Sequence, residues 1–174
     1  MVTIKKSTLW ILLFAILFVL VIIALLTGFF GLRTTGGVSG KSVLVEGSTF
    51  SDTGDNILRD SNGKSYVILF STTWCPHCVW IKDTFDSLSQ EDFASSVNIQ
   101  HWELDKGDNT LTPEIETEVP KEILDIYNKY NPQGSIPTFV FGGKYIRVGN
   151  GYESQKDLAA EKQDFELVIG KLLK

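Results

Sequence analysis

The chain has only two cysteines among its 174 residues, Cys75 and Cys78, in the run Trp74-Cys75-Pro76-His77-Cys78. If that run opens a helix, the three-residue spacing puts both sulfurs on one side of the first turn, able to close a small disulfide. A cysteine just ahead of the first helical residue faces unpaired backbone N–H groups and the positive end of the helix dipole. Both favour a thiolate over a thiol. His77, in the same turn, adds positive charge when protonated. A stabilised thiolate favours the dithiol form and so makes the corresponding disulfide a stronger oxidant. Other uses of the pair fit less well. A structural disulfide over so short a loop constrains the unfolded chain little. Structural zinc wants four ligands, and the only others of matching type are His77, poorly placed to close on the same ion, and His101. A degenerate, inactive pair is a further reading. The residues favour a redox centre that needs no cofactor, because the electrons travel through the pair, and no metal site is expected. A soft ion such as Cu(I) held by both thiols is the alternative from another class.

Such a centre needs rigid elements on either side. Tyr66-Val67-Ile68-Leu69-Phe70 is continuously apolar and rich in β-branched and aromatic residues, which predicts a strand buried on both faces. After Pro76, Ile81, Phe85 and Leu88 recur at helical spacing. Val97 to Leu104 predicts a second strand. Pro120 opens a helix carrying Ile123, Leu124, Tyr127 and Tyr130. Gly142-Gly143 between Pro137–Phe141 and Lys144–Val148 predicts a hairpin. From Ser154 to Leu173 a last helix is expected, with Leu158, Phe165, Val168, Ile169 and Leu172 on one face. Ahead of these, Val43-Leu44-Val45 predicts an edge strand, and Ser51–Lys64 predicts turns with one helical turn at Asn56–Arg59. The order implies an α/β fold, a mixed β-sheet with helices on both faces. Trp74 is expected to lie exposed beside the cysteines, Trp80 and Trp102 to pack, and His101 to be an ordinary surface or core histidine. Eight acids between Glu103 and Asp125 face only Lys106 and Lys121. Without EF-hand spacing they read as a solvated loop.

These residues resemble the thioredoxin superfamily over nearly all of Ser42–Lys174. The resemblance is carried by the strand Val67–Phe70, by Trp-Cys-Pro-His-Cys opening a helix, and by Gly134-Ser135-Ile136-Pro137-Thr138 before a strand. It implies a cis bond before Pro137, with Ile136 offering its backbone to an incoming substrate strand. It also implies that Cys75 forms the mixed disulfide, that Cys78 resolves it, and that Trp74 and Pro76 face the substrate. The dipeptide Pro76-His77 is that of the DsbA group of oxidants. Two departures qualify the likeness. Only about 30 residues, Asp105 to Ser135, stand where DsbA-like proteins insert a helical domain. Leu69 occupies the place, six residues before Cys75, where many members carry a buried acid. Proton transfer at Cys78 must then use water or another group, and weak reductase turnover is expected.

Leu9 to Leu26 is an unbroken apolar run of eighteen residues, about 27 Å as a helix and enough to span a bilayer with a few residues more. Trp10 and Phe29/Phe30 suit its two interfaces. Lys5 and Lys6 precede it, with Arg33 and Lys41 following, so the positive-inside bias predicts a cytoplasmic N-terminus and an exported domain. The run is longer than a signal-peptide core and lacks a small-x-small site, so an uncleaved signal-anchor is expected. The division is residues 1–32 as stub and transmembrane helix, 33–41 as flexible linker, and 42–174 as the folded domain. From Arg33 on, 14 basic residues face 21 acidic ones. No basic cluster exists, which argues against a nucleic-acid partner. The resulting expectation is a single-pass, extracytoplasmic thiol–disulfide oxidoreductase acting on protein thiols or disulfides, oxidising more readily than reducing, with a possible membrane redox partner. A membrane-anchored reductant for cytochrome maturation is the nearest alternative, and the Cu(I) carrier the more distant one.

Overall fold

β3 (Ser65–Ser71) divides its large side chains between two cores, Val67 and Leu69 on one face and Ile68 and Phe70 on the other. An apolar residue at every position is what a strand covered on both sides requires. The computed structural model describes residues 43–174. The expected membrane helix over 9–26, its orientation and the linker over 33–41 lie outside those residues. Among the described residues, no helix is long and apolar enough to cross a membrane.

On one side of β3 runs β4 (Val97–Glu103), parallel, with Ser65 opposite Val97 and Ser71 opposite Glu103. A parallel pair needs a crossover, here α1 (Pro76–Asp86) and two short 3-10 turns, Ser87–Gln90 and Asp92–Ser96. On the other side lies the hairpin of β6 (Thr138–Phe141) and β7 (Tyr145–Val148), with β6 antiparallel to β3. The two-residue strands β1 (Val43–Leu44), β2 (Ser51–Asp52) and β5 (Asp108–Asn109) extend the edges, giving the order β1-β2-β7-β6-β3-β4-β5. α1 and α3 (Leu158–Leu172) pack on one face, over Phe50, Leu69, Phe85, Phe139, Phe141 and Phe165. α2 (Lys121–Tyr130) covers the opposite face with Ile123 and Tyr127 against Ile68, Phe70 and Val140.

Three local expectations are corrected. Asn56–Arg59 forms no helical turn, because its backbone is used by the sheet: the Leu58 N–H donates to Gly142 O at 2.7 Å, and Arg59 bridges to Ser65. Ser51–Asp52 and Asp108–Asn109, read as turn and irregular loop, are edge strands, too short to show any periodicity. The last helix starts at Leu158 rather than Ser154. Lys156 takes a left-handed φ of 55° after the 3-10 turn Glu153–Gln155, and the Asp157 side chain then caps the Ala160 N–H. Leu158, at the first position of α3, is 40% exposed and so is not part of the buried face.

The β6–β7 turn leaves no room for a side chain. Gly143 has a φ of 64°, and a Cβ there would lie 2.5 Å from Tyr130 Oη and 2.7 Å from Leu58 Cδ1. Left-handed strain and overpacking therefore add. Gly143→Ala is expected to cost about 2–4 kcal/mol, read as a lower urea midpoint with the slope unchanged. An unchanged midpoint would mean that the turn relaxes freely.

Candidate functional site

The described domain has a thioredoxin-like fold: a parallel β-α-β unit, then an antiparallel hairpin and a final helix, in the strand order β7-β6-β3-β4. The register of that sheet gathers the candidate residues at one end. β3 stops at Ser71 and leads into Thr72–Cys75, while Thr138, opposite Phe70, places Ile136 and Pro137 at the same sheet end. Val148 pairs with Thr138, so the segment after β7 that carries Asn150 and Glu153 also starts there. The parallel β4 ends opposite Ser71 and delivers Asp105 to this end.

Cys75 is the N-cap of α1 and Pro76 its first helical residue, where the missing N–H costs nothing. The Cys75 Sγ accepts the Cys78 N–H at 3.3 Å, and the Cys75 carbonyl accepts the Val79 N–H at 3.0 Å. The sulfur thus lies where unpaired helix N–H groups stabilise negative charge. Cys78 is on the inner side of the same turn, with Ile81 and Phe85 following it into the core. Burial, first, and the neighbouring Cys75 sulfur push the Cys78 thiol up to about 12. Trp74 is 72% exposed, and Pro76 and His77 are exposed beside it. Trp80 is half-buried against the core and Trp102 is buried.

His77 has a partner that the sequence does not suggest. Its Nδ1 lies 2.8 Å and 2.9 Å from the two Glu153 carboxylate oxygens, and Asn150 Nδ2 donates both to Glu153 and to the His77 carbonyl. Partial burial opposes charge on Glu153, but the bonds from Asn150 and His77 outweigh it and hold the carboxyl below its ordinary value. Asp105 plays a similar structural part on the other side. The Thr73 hydroxyl and N–H both donate to it and lower it from its ordinary value.

The Ile136–Pro137 bond is cis. Pro137 is buried and Ile136 half-buried. Asn131 fixes this loop, donating to Ser135 O at 2.6 Å and to Thr138 Oγ1 at 2.9 Å, and the Gly149 N–H donates to Pro137 O. In the acidic stretch, carboxylates turn onto their own backbone: Asp108 accepts from the Glu116 N–H, and Glu116 from the Asn109 N–H. Among the described residues, no group of three or more His, Cys, Asp or Glu side chains could hold a metal ion.

Sequence reasoning missed Glu153, Asn150 and a trio of two buried residues, Ser71 and His101, with the half-buried Asp86, in which the His101 ring bonds to both other side chains. Apart from Asn150 with Glu153, three residues apart, the pairings join residues 15 to 76 positions apart, so local spacing carries no trace of them. A sequence reader had one clue, a polar His101 and Ser71 on strands otherwise meant for the core.

No family model and no curated protein matches the chain. Among solved structures, it is similar to the thioredoxin of Malassezia sympodialis, Mala s 13, at 23% identity over 57% of this chain and 74% of that one, with a TM-score of 0.35. It is also similar to the glutaredoxin from Methanosarcina mazei Go1, at 18% identity over 59% of this chain and 95% of that one, with a TM-score of 0.31.

Proposed function

We propose that the chain is a thiol–disulfide oxidoreductase that oxidises protein thiols on the outer side of a membrane, held there by Leu9–Leu26. The observation that carries the reading is the Cys75 sulfur at the N-cap of α1, accepting the Cys78 N–H. In the forward step a substrate thiolate attacks the Cys75 sulfur of the Cys75–Cys78 disulfide. The Cys75–Cys78 bond breaks, Cys78 leaves as a thiolate and takes a proton, and a substrate–Cys75 mixed disulfide remains. A second substrate thiolate then attacks the substrate's own sulfur, and Cys75 leaves as a thiolate. The substrate is oxidised by two electrons and the cysteine pair reduced by two, which a membrane redox partner would remove. The helix N-terminus lowers the energy of the leaving Cys75 thiolate, which favours this direction. Trp74, Pro76, Ile136 and Pro137 would receive the substrate strand, with no bound cofactor or metal taking part. The oxidised full chain should convert a dithiol peptide to its disulfide one for one, and Cys75→Ser should convert none. A chain that instead binds one equivalent of Cu(I) tightly and exchanges no disulfide would be a metal carrier.

His77 and Glu153 set how oxidising the pair is. Replacing His77 by Gln removes the ring nitrogen that bonds to Glu153 and leaves that carboxylate less compensated beside the cysteine turn, which disfavours the thiolate. Exposed ion pairs are worth about 0.2–1 kcal/mol, equivalent to roughly 5–20 mV for two electrons. His77→Gln should therefore lower the reduction potential by about that much, and adding Glu153→Gln should recover part of the drop. A rise in potential in the single variant would refute this assignment.

A further inference from the structure

Leu69 is fully buried in the apolar core, so this position offers Cys78 no proton acceptor. A different set of buried polar groups stands close by and is unused in the reaction just described. Ser71 Oγ is 2.7 Å from His101 Nε2, and His101 Nδ1 is 2.6 Å from Asp86 Oδ1. Lys82 Nζ donates to the other Asp86 oxygen at 3.0 Å. Ser71 and His101 are 3% and 1% exposed, whereas the Asp86 side chain reaches solvent at 23%. A cavity of about 150 Å³ is lined by Ser71, His101 and Lys82 together with Thr72, Cys78 and Val79. The Thr72 hydroxyl is buried without a hydrogen-bond partner. The lining is mixed, more apolar than polar, and a space of this size bordered by the unpartnered Thr72 hydroxyl, Ser71 and the Cys78 sulfur has room for water.

The Ser-His-Asp order invites a hydrolytic reading. Ser71 lies within β3 and is almost fully buried, so an acyl substrate has no access to it. The shared cavity points elsewhere. We propose that Asp86, His101 and Ser71 form a proton relay for Cys78, joined to its sulfur through water in this cavity. The proposal rests on the redox reading above.

With Asp86 accepting the His101 Nδ1–H, the Nε2 lone pair accepts the Ser71 hydroxyl hydrogen, a tautomer assigned from these bonds. When Cys78 closes onto a mixed disulfide, its S–H proton passes to cavity water and on to the Ser71 oxygen, as Ser71 passes its own proton to Nε2. The freed Cys78 electron pair forms the bond to the Cys75 sulfur. The Cys75–substrate bond breaks, and its electron pair leaves with the substrate thiolate. In the oxidising direction the same path returns a proton to Cys78 as it departs. Asp86 stabilises the imidazolium and reaches solvent, where the proton exchanges. The charged and titratable groups around the path are Asp86 and Lys82 from α1, Glu103 and Asp105 at the end of β4, Cys75 at the N-cap, and Tyr127 from α2. Burial keeps the Cys78 thiol protonated at neutral pH, so its attack needs an acceptor.

The test uses the full-length chain, reduced and freed of reductant, mixed with a chromogenic aromatic disulfide. Attack by Cys75 releases one coloured thiolate, and resolution by Cys78 releases the second. In His101→Gln the first release should keep the wild-type rate. The second should slow at least about tenfold at pH 7 and recover as pH rises and hydroxide replaces the lost base. Ser71→Ala, a smaller change in the same core, should behave alike. A second phase as fast as wild type in either variant overturns the relay, as does an equal slowing of both phases. Failure of the wild-type chain to release either thiolate overturns the redox reading instead.

Discussion

A Cys78→Ser chain should capture a disulfide substrate as a long-lived covalent complex. Cys75 ends the loop that carries the exposed Trp74 and precedes the exposed Pro76 and His77, while Cys78 faces the core with Ile81 and Phe85. Both sulfurs are buried, Cys75 at 4% and Cys78 at 2% exposure, so it is the place of Cys75 between the exposed Trp74 and Pro76 that should present it first to a disulfide lying on those side chains. Its attack leaves a mixed disulfide that only a second thiol can break. In the native chain that thiol is three residues away in the same turn, where positioning is worth the equivalent of about 10⁵ M or more of free thiol. Removing it should slow resolution at least about a thousandfold at millimolar competing thiol, enough to see the complex on a non-reducing gel. Cys75→Ser should give no complex at all. Equal amounts of complex from both variants would mean that the two cysteines have no division of labour.

The second large effect concerns stability. Arg147 lies on β7 and is 6% exposed, with its guanidinium 4.8, 4.5 and 5.0 Å from the rings of Phe50, Phe139 and Phe165. It donates to Glu161 at 2.6 Å and to Asp164 at 3.2 Å, both buried residues of α3. Burial pulls the guanidinium below its ordinary value, and the two carboxylates oppose that shift. Thr49, Ser48 and the Tyr152 N–H satisfy the remaining carboxylate oxygens. Arg147→Ala would leave two carboxylates in an apolar core without a cation, and should cost about 3–5 kcal/mol by denaturant unfolding. A combined Arg147→Met, Glu161→Gln and Asp164→Asn chain should regain much of that, because no buried charge is left unpaired. A loss below about 1 kcal/mol in the single variant would mean that water reaches the cluster. The cluster also ties α3 to the Tyr152–Glu153 segment, so it helps hold Glu153 against His77.

How much of this was readable in advance depends on how far apart the interacting residues are. The central strand, α1, α2 and the glycine hairpin follow from apolar period and turn chemistry within windows of a dozen residues. The Cys-Pro-His-Cys run declares its own position because the N-cap, the proline and both sulfurs lie within four consecutive residues. β2 and β5 could not be read, since two residues show no period and their pairing comes from a distant strand. Asn56–Arg59 looked helical in isolation, yet its backbone groups serve the β6–β7 turn more than eighty residues later. Leu158 fits the helical repeat, but the helix begins only there, which leaves its first side chain outside. In the site, the cysteines and Trp74 were legible, and Glu153 beneath His77 was not. His101 read as an ordinary histidine because its meaning depends on Asp86 and Ser71, which the fold alone brings to it.

The most direct test of the central claim is the equilibrium of the full chain's cysteine pair with glutathione buffers, read as the fraction of Cys75–Cys78 disulfide by thiol trapping. One reversible two-electron transition is expected, with a potential above about −200 mV, toward the oxidising end of the range for such pairs. A potential below that value, or no reversible disulfide between Cys75 and Cys78, would contradict that claim.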